Sequence, residues 1–229
     1  MGGGKISVIV PVLNEERDLR RCLSTLGLTG GEELIVADGG SADATVSIAG
    51  QFTGKVVSSR RGRAAQMNAG AEAASGDILL FLHADCVLPA GGFGAVRRAL
   101  SDEGVVAGGF WLSIEHPALR FRIIERGANL RSYLTRLIYG DQGMFLRRET
   151  FRELGGYAPI PLMEDVEISQ RLRRRGRITF VGPPVRTLPR RWLREGALLT
   201  TLRDWRRALS FTMFRASPEE LARRYRDVR

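Results

Sequence analysis

The sequence predicts an α/β fold in which helices flank a mostly parallel central sheet. Short runs of β-branched and apolar residues alternate with helical patterns through the first hundred residues. These runs are apolar at nearly every position, which is typical of strands covered on both faces. Strands and helices that alternate along one chain form parallel sheets through right-handed crossovers. With 229 residues, of which 44% are hydrophobic, the chain can bury a sizeable core in one domain.

Four strands and three helices are predicted in the first part of the chain. The strands are residues 5–12, 33–37, 55–58 and 78–82. Asn14 is expected to cap the first helix, and Ser41 or Asp43 is expected to open the second. The third helix covers residues 63–74, where small residues allow close packing on the sheet.

After about residue 101 this regular alternation stops. Further strands are predicted at residues 105–112, 143–146, 178–181 and 185–188. Helices are predicted at residues 119–138, 165–175 and 197–214, and Ser217 is expected to cap a last, basic helix. The helix at 197–214 is amphipathic and leaves three interpretations open: it packs on the domain, pairs with a second subunit as a homodimer, or lies on an anionic bilayer.

The positive charge of the chain is concentrated near its C-terminal end. The net charge is +10, and nearly all the positive residues are arginines. Residues 171–229 hold seventeen arginines and five acidic residues, so this part alone carries a charge of +12. Such an asymmetry indicates an anionic partner, which is a membrane surface, a phosphate-bearing ligand or nucleic acid.

The cysteines and the lack of targeting patterns indicate the compartment. Cys22 and Cys86 give no disulfide framework, which favours a reducing environment. The sequence shows no secretory signal pattern and no run of about 18 apolar residues. We therefore expect a cytoplasmic protein, and the arginines leave peripheral contact with the inner membrane face, through residues 197–229, as an open option.

Polar side chains follow three of the predicted strands at their carboxyl ends. They are Asn14-Glu15-Glu16, Asp38 and Asp85. Because ligands bind at the carboxyl ends of strands in open α/β sheets, we expect these side chains to converge on one crevice. The sequence has no GxGxxG motif after the first strand and no GxxxxGK[ST] motif, which disfavours a dinucleotide dehydrogenase and a P-loop enzyme. Carboxylates here can bind a base or ribose, or hold a divalent metal against a diphosphate.

Four motifs occur in order between residues 5 and 175. They are residues 8–16 (VIVPVLNEE), 36–45 (VADGGSADAT), 82–85 (LHAD) and 162–167 (LMEDVE), the last followed by QRLR at 170–173. Together they resemble family 2 glycosyltransferases with the GT-A fold, and most of all a subgroup of small soluble bacterial enzymes. The resemblance implies inverting transfer of a sugar from a nucleotide diphosphate sugar, commonly UDP-linked, to a hydroxyl acceptor that remains unknown.

The resemblance also implies a role for individual residues. Asp38 would contact the base, Asp85 would bind Mg²⁺ or Mn²⁺, and Asp165 would be the general base with Glu164 beside it. His83 replaces the first Asp of the metal-binding DxD motif, and it can ligate Mn²⁺ or bind a ribose or phosphate. The other residues implied to bind the nucleotide are Pro11, Asn14, Glu15, Gly62, Arg63, Gln66, Asn68 and Ala84.

The resemblance divides the chain into three parts. Residues 1–100 would form the nucleotide-sugar-binding half, residues 101–190 the acceptor half, and residues 191–229 a set of basic amphipathic helices. The Gly-Arg turn at 62–63 precedes a helix, which is a good position for a phosphate. Asp165 opens a helix, and we expect the positive end of that helix to keep its carboxyl group ionised.

Two other functions remain open from the sequence. A sugar nucleotidyltransferase usually has a Gly-rich loop with Arg or Lys directly after its first strand, and residues 11–16 (PVLNEE) lack one. A non-catalytic basic module for membranes or nucleic acid would explain the C-terminal arginines but would leave Asp38, Asp85 and Asp165 without a role. By themselves, residues 38–41 are also typical of a turn, and Glu164 and Asp165 of a first helical turn. A specific nucleic-acid partner is not expected.

Overall fold

The computed structural model describes residues 4–214 and 217–223, so parts of the predicted basic segment 191–229 lie outside the described residues. The strands are β1 (Ile6–Val12), β2 (Glu32–Asp38), β3 (Val56–Ser58), β4 (Ile78–Phe81), β5 (Cys86–Val87), β6 (Val105–Ile114), β7 (Met144–Arg147) and β8 (Arg177–Thr187). The helices are α1 (Leu19–Ser24), α2 (Thr45–Gly50), α3 (Arg63–Glu72), α4 (Gly92–Leu100), α5 (Leu119–Thr135), α6 (Arg148–Glu153), α7 (Glu164–Arg173), α8 (Arg190–Glu195), α9 (Ala197–Phe214) and α10 (Pro218–Arg223). A short 3₁₀ helix covers Gly140–Gln142.

The eight strands form one sheet in the order β3-β2-β1-β4-β7-β6-β8-β5. The first four strands pair in parallel, as the alternation of strands and helices predicts. β7 is antiparallel to both of its neighbours, β4 and β6, while β8 runs parallel to β6. The mixed second part agrees with the loss of regular alternation in the sequence, and the α/β fold class is confirmed.

The apolar strands are covered on both faces by separate layers of helices. Val8 and Val10 of β1 belong to a core that includes residues of α1, α2 and α4. Ile9, between them, belongs to a second core with residues of α3, α6 and α7. Because successive side chains of a strand point to opposite faces, a strand with helices on both sides is apolar at nearly every position.

Gly70 sets the distance between α3 and the sheet. A Cβ atom at this position would lie 2.4 Å from Cγ2 of Ile9, closer than any carbon contact allows. Met67 and Ala71 of the same helix are buried in the same core as Ile9. The close packing that the small residues of this helix predict is therefore present.

The structure corrects two predicted elements. The strands predicted at 178–181 and 185–188 are one strand, β8, because a register shift against β6 absorbs residues 182–184. Asn14 does not cap the first helix, which begins later, after Asp18, and neither Ser41 nor Asp43 is the N-cap of α2, which is Ala44. The prediction for Ser217 holds, since its hydroxyl accepts the N–H of Glu219 (3.2 Å) in front of α10.

The larger of the two apolar stripes on α5 faces outward. Leu119, Ile123, Leu130 and Leu134 are exposed, whereas the side of the helix that contacts the sheet carries Phe121, Ile124 and Ala128. The structure also shows that both cysteines are buried free thiols. In the part of the chain that the structure describes, no helix has the length and apolar character needed to cross a bilayer.

Candidate active site

The candidate site lies where the strand order changes direction, at the carboxyl ends of β1 and β4. β2 and β3 lie on one side of β1, and β4 lies on the other. Loops that leave two such strands diverge and create a crevice, which is the usual ligand position in open α/β sheets. A cleft of about 240 Å³ lies here, lined by Glu15, Arg63 and Asp85 from one part of the chain and by Glu164 and Asp165 from another.

A smaller pocket of about 40 Å³ adjoins this cleft at the end of β1. Pro11, Gln66 and Ala84 line it. His83 and Asp85 line both spaces, so the pocket and the cleft share a wall. The structure therefore brings together most of the predicted donor-side residues. The predicted residues that line neither space are Asn14, Asp38, Gly62 and Asn68.

Asn14 joins the loop after β1 to the loop after β2. Its backbone is left-handed (φ 54°), its N–H donates to Ser41 Oγ (2.9 Å), and its Oδ1 accepts the N–H of Ala42 (2.9 Å). The N–H of Glu15 likewise donates to Thr45 Oγ1 (2.8 Å). These bonds hold the two loops together at the rim of the crevice, and a contact between Asn14 and the nucleotide stays a prediction.

Asp38 ends β2 beside Val12, its neighbour in the parallel register. Its carboxylate accepts the N–H groups of Gly40 (2.9 Å) and Ser41 (3.1 Å) and the hydroxyl of Ser41 (2.5 Å). The side chain is buried and shapes the turn that follows the strand, as the composition of residues 38–41 predicts. Its contact with a base stays a prediction. A base bound here would share the Asp38 carboxylate with the hydrogen bonds from Gly40 and Ser41.

Two amide side chains of α3, those of Gln66 and Asn68, support the site through hydrogen bonds with backbone groups. Gln66 is buried, and its Nε2 donates to the carbonyl groups of Val12 and Ala37, the latter at 3.2 Å. Gln66 thereby holds the carboxyl ends of β1 and β2 together. Asn68 uses both amide atoms on the backbone of Tyr157, with two bonds of 2.9 Å. The nucleotide contacts predicted for Gln66 and Asn68 remain predictions.

Helix α3 begins at the edge of the cleft. Gly62 precedes it with a φ of 132°, which glycine adopts far more readily than other residues, and Arg63 is its first residue. Arg63 lines the cleft and lowers the pKa values of Glu164 and Asp165 against the larger effect of their burial. Free N–H groups at a helix start and a guanidinium group are a favourable combination for binding phosphate.

Arg190 is a site residue that the sequence analysis missed. It is the first residue of α8, and its guanidinium group lies 3.0 Å from Glu15 Oε2 and 2.5 Å from Asp18 Oδ2. It also lies 3.7 Å from Asp85 Oδ2. A proline followed by two arginines directly after the last strand, at residues 189–191, is the signal that could have drawn attention to it.

The donor-side residues fit one particular mode of metal binding. Within the described ranges, no three His, Cys, Asp or Glu side chains form a ready-made metal cage. Mg²⁺ and similar ions bound with nucleotides often take one or two carboxylates from the protein and the remaining oxygens from phosphates. Asp85 suits this mode, because its side chain lines the cleft and is 32% exposed. The ring of His83 packs against Gly140, where a Cβ would lie 2.4 Å from Cε1.

Glu164 and Asp165 are the first two residues of α7. The Asp165 carboxylate accepts the N–H groups of Gly140 (2.7 Å) and Val166 (2.7 Å), which fixes its orientation. Burial raises the pKa of Asp165 above its ordinary value and raises the pKa of Glu164 to about 7. The helix start therefore does not hold the pKa of Asp165 below its ordinary value, because desolvation has the larger effect.

Asp141 adds a third carboxyl group to this wall of the cleft. Burial raises its pKa to about 6, Arg131 opposes the shift, and the charges of Asp165 and Asp85 reinforce it. Arg131 also stacks on Tyr139, with 3.7 Å between Cζ and the ring centroid. The wall thus carries carboxyl groups that exchange protons near neutral pH, which is what general acid–base chemistry requires.

Comparison with known proteins identifies the family. Residues 7–156 match the sequence profile of glycosyl transferase family 2, which is more than half of the chain. The chain is also 36% identical over 92 residues to the glycosyltransferase AglE of Haloferax volcanii. That alignment covers 35% of this chain and 30% of AglE, so it spans less than a third of the relative.

Solved structures with the same fold are glycosyltransferases. The mannosyltransferase PcManGT of Pyrobaculum calidifontis, in complex with GDP-Man and Mn²⁺, aligns with a TM-score of 0.66 at 18% identity, over 100% of this chain and 67% of that one. Glucosyl-3-phosphoglycerate synthase of Mycobacterium tuberculosis, with Mn²⁺, UDP and glucosyl-3-phosphoglycerate, aligns with a TM-score of 0.58 at 22% identity, over 91% of this chain and 79% of that one. S. aureus TarS with UDP-GlcNAc gives 0.63 at 16% identity, over 80% and 58%.

The family match contains three of the four motifs, and the structural likeness extends over the whole sheet. Membership in a glycosyltransferase family disfavours the two alternatives, a sugar nucleotidyltransferase and a non-catalytic binding module. The chain belongs to glycosyl transferase family 2 and has the GT-A fold.

Proposed function

We propose that this enzyme transfers a sugar from a UDP-linked donor to a hydroxyl acceptor, with inversion at the anomeric carbon. The observation that carries the proposal is one cleft lined by Asp85 and Asp165, which come from different parts of the chain. In this proposal the donor lies against residues 1–100 and the acceptor against residues 101–190. Structural relatives in complex with GDP-Man, UDP-GlcNAc or UDP support a nucleotide-sugar donor.

The donor would lie along the loops that follow β1 and β4. Pro11, Gln66 and Ala84 line a small pocket beside the cleft, and we place the nucleoside at this end of the cleft. Arg63 and Arg190 line the adjoining cleft, and both guanidinium groups can approach the two phosphates. Such fixed positive charge stabilises a leaving diphosphate more strongly than water does, because it needs no reorganisation during the reaction.

Asp85 would hold the divalent cation, Mg²⁺ or Mn²⁺, together with oxygens of the diphosphate, and His83 is the second candidate ligand. The relatives in complex with Mn²⁺ support the use of a divalent metal. When bound, such an ion stabilises the negative charge that develops on the leaving diphosphate.

Asp165 would act as the general base. Its carboxylate lines the cleft and is held by two backbone N–H groups, so it can accept the proton of an acceptor hydroxyl in a defined orientation. Its raised pKa makes it a stronger base than an exposed aspartate. The deprotonated oxygen would form its bond to the anomeric carbon as the bond to the diphosphate breaks, and one in-line displacement inverts that carbon. Glu164 would support this proton transfer as the neighbour that titrates with Asp165.

Calorimetric titration with UDP and GDP, each with and without Mn²⁺, tests the donor half. We expect Mn²⁺-dependent binding of UDP by the wild-type protein and its loss in Asp85→Asn. Glu103→Gln removes an exposed carboxylate outside the cleft and should bind as the wild type does. Preferential binding of GDP would change the donor class, and metal-dependent binding by Asp85→Asn would remove Asp85 from the metal site.

Donor hydrolysis, in which water replaces the acceptor hydroxyl, tests the base without knowledge of the acceptor. Asp165→Asn should bind UDP with Mn²⁺ nearly as the wild type does, since Asp165 lies on the acceptor side of the cleft. Its rate of UDP-sugar hydrolysis should fall by about 10²-fold or more, the usual contribution of a general base. A hydrolysis rate equal to that of the wild type would show that another group accepts the proton.

A further inference from the structure

Exposed apolar side chains are concentrated on one side of the molecule. Eleven of the thirteen large hydrophobic residues that are exposed in the described structure belong to α5, α8 and α9. The other two, Leu28 and Val46, lie in the first part of the chain. A contiguous apolar surface of this kind marks an interaction site more often than scattered single residues do.

Helix α5 contributes the first half of this surface. Leu119, Ile123, Leu130 and Leu134 are 58% to 72% exposed, and Tyr133 lies beside them. At 100° per residue these five positions fall within an arc of about 100°, on the side opposite the buried Phe121 and Ile124. The helix is therefore apolar on two sides, and the sheet covers only one of them.

Helix α9 contributes the second half. Leu198, Leu202 and Leu209 are 50% to 70% exposed and lie on one side of the helix, opposite the buried Thr200. Trp205 closes the gap between the helices, because a Cβ at Gly127 of α5 would lie 3.2 Å from its ring. The two apolar stripes thus lie side by side, on either side of the contact between the helices. We name their combined surface the α5–α9 face.

The charges of the α5–α9 face are positive. Arg126 lies within the stripe of α5, and Arg206 lies along the edge of the stripe of α9. Arg203 also lies at that edge, but its charge is balanced by its ion pair with Glu195. The other acidic side chains of these elements are engaged elsewhere, since Glu125 is buried against the backbone of Ile114 and Asp204 pairs with Arg191 and Arg207.

We propose that the α5–α9 face docks on an anionic lipid bilayer. Leucines with a Trp and a Tyr, bordered by arginines, form the pattern of an interfacial helix, whose apolar side enters the acyl boundary while its cations contact lipid phosphates. A second copy of the chain is a poorer occupant. A two-fold interface brings the same patch of both subunits together, so Arg126 and Arg206 would lie against a patch that carries the same positive charges.

This docking brings the membrane close to one end of the cleft. Trp205 belongs to the α5–α9 face and also lines the cleft, together with Ile124 and Ala128 from the inner side of α5. An acceptor with a lipid tail could therefore enter from the bilayer, a consequence that rests on the proposed function. The docking itself rests on the surface of the protein alone, so it can fail or hold without regard to the donor titration.

Co-sedimentation with lipid vesicles tests the proposal on the full-length protein. We expect binding to vesicles of phosphatidylcholine mixed with phosphatidylglycerol, and much weaker binding to phosphatidylcholine alone. The double variant Leu130→Ser, Leu134→Ser should weaken binding by about tenfold or more, since each leucine loses its burial in the bilayer. Arg126→Gln and Arg206→Gln should each weaken it by about fivefold.

Matched controls distinguish binding through the α5–α9 face from nonspecific binding of the protein to vesicles. Leu28→Ser and Arg98→Gln change an exposed leucine and an exposed arginine elsewhere, and both should bind vesicles as the wild type does. Equal binding of wild type and Leu130→Ser, Leu134→Ser would overturn the proposal, as would failure of the wild type to bind anionic vesicles. Sedimentation velocity that shows a dimer, broken by Leu130→Ser, Leu134→Ser, without vesicle binding would assign the face to a second copy.

Discussion

Gly70 is the residue at which α3 comes closest to the sheet. An added methyl group would meet Ile9, whose side chain is fully buried and has no space to yield. We expect Gly70→Ala to lower the free energy of unfolding by about 1–3 kcal/mol, the usual cost of overpacking a core. Urea denaturation measures this change. Gly54→Ala is the control, because Gly54 has open space around its Cβ position and an ordinary φ, and a loss of stability there as large as at Gly70 would contradict the packing argument.

Asp141 makes stability depend on pH in a defined direction. Its pKa is about 6 in the folded protein because burial disfavours its charged form, whereas the unfolded chain has the ordinary value near 4. The folded state therefore holds the proton more tightly, and this stabilisation, complete below pH 4, is lost as the pH rises from about 4 to about 6. Asp141→Asn should remove the loss and be more stable than the wild type above pH 6 by about 3 kcal/mol. Thermal or urea unfolding at pH 4 and pH 8, in EDTA, measures the difference, and a pH-independent difference would refute the pKa assignment.

The sequence predicts the position of a side chain at the crevice where that side chain follows a strand of the parallel half of the sheet. Asp85 follows an all-apolar strand, so its position at the crevice follows from the topology of parallel sheets. Asp165 opens α7 in the mixed part of the fold, and only the family motif connects it with the same crevice. Gln66 and Asn68 lie in a motif too, but in the structure their amide groups form hydrogen bonds with backbone groups. No sequence pattern distinguishes a side chain that supports the site in this way from one that binds the ligand. Arg190 could not be found in this way, because α8 returns to the site from residues far along the chain.

At the scale of elements, helix α8 carries a positive charge into an acidic site. Arg190 contacts Glu15, Asp18 and Asp85. Its positive charge would therefore repel a metal ion that binds to the same carboxylates. We expect Arg190→Gln to bind Mn²⁺ alone more tightly, since a repelling cation is removed, and to bind UDP with Mn²⁺ more weakly, since a phosphate contact is lost. Calorimetry measures both affinities. Arg194→Gln, an exposed arginine on the same helix, is the control, and parallel changes in both affinities would contradict this dual role.

The sequence predicts where a helix lies more reliably than which side of the helix is buried. The bounds of α9 follow from its sequence, because its apolar residues recur at helical spacing between a glycine and the segment before Ser217. The same spacing on α5 identifies a helix but not its orientation. Both sides of α5 are apolar, and the smaller stripe with Phe121, Ile124 and Ala128 is the one that faces the sheet. Periodicity shows that a stripe exists, and tertiary packing decides which stripe is buried.

At the scale of the molecule, the last helices are separate from the donor residues. The sheet ends at Thr187, and the predicted donor residues precede Asp85, while α9 contacts α5 and α8 and lines the far end of the cleft. A chain that ends at Glu195 should therefore bind UDP with Mn²⁺ as residues 1–229 do. Its melting temperature should be lower by several degrees, because Trp192 and Ile124 lose the packing of α9 against them. A chain that ends at Arg223 is the control. Loss of UDP binding by the shorter chain, with an intact far-ultraviolet dichroism spectrum, would show that α9 belongs to the donor site.

The position of β7 between β4 and β6 has a consequence for biosynthesis. β4 is an apolar strand (ILLF), and the strand that covers its free edge begins only at Met144, more than sixty residues later. At a translation rate of about 5–20 residues per second, this edge waits for about 3–13 seconds after Phe81 has been made. An uncovered apolar edge is a template for pairing with other chains. Ribosome-bound chains that stall between Phe81 and Met144 are therefore the species in which aggregation and chaperone demand should be greatest.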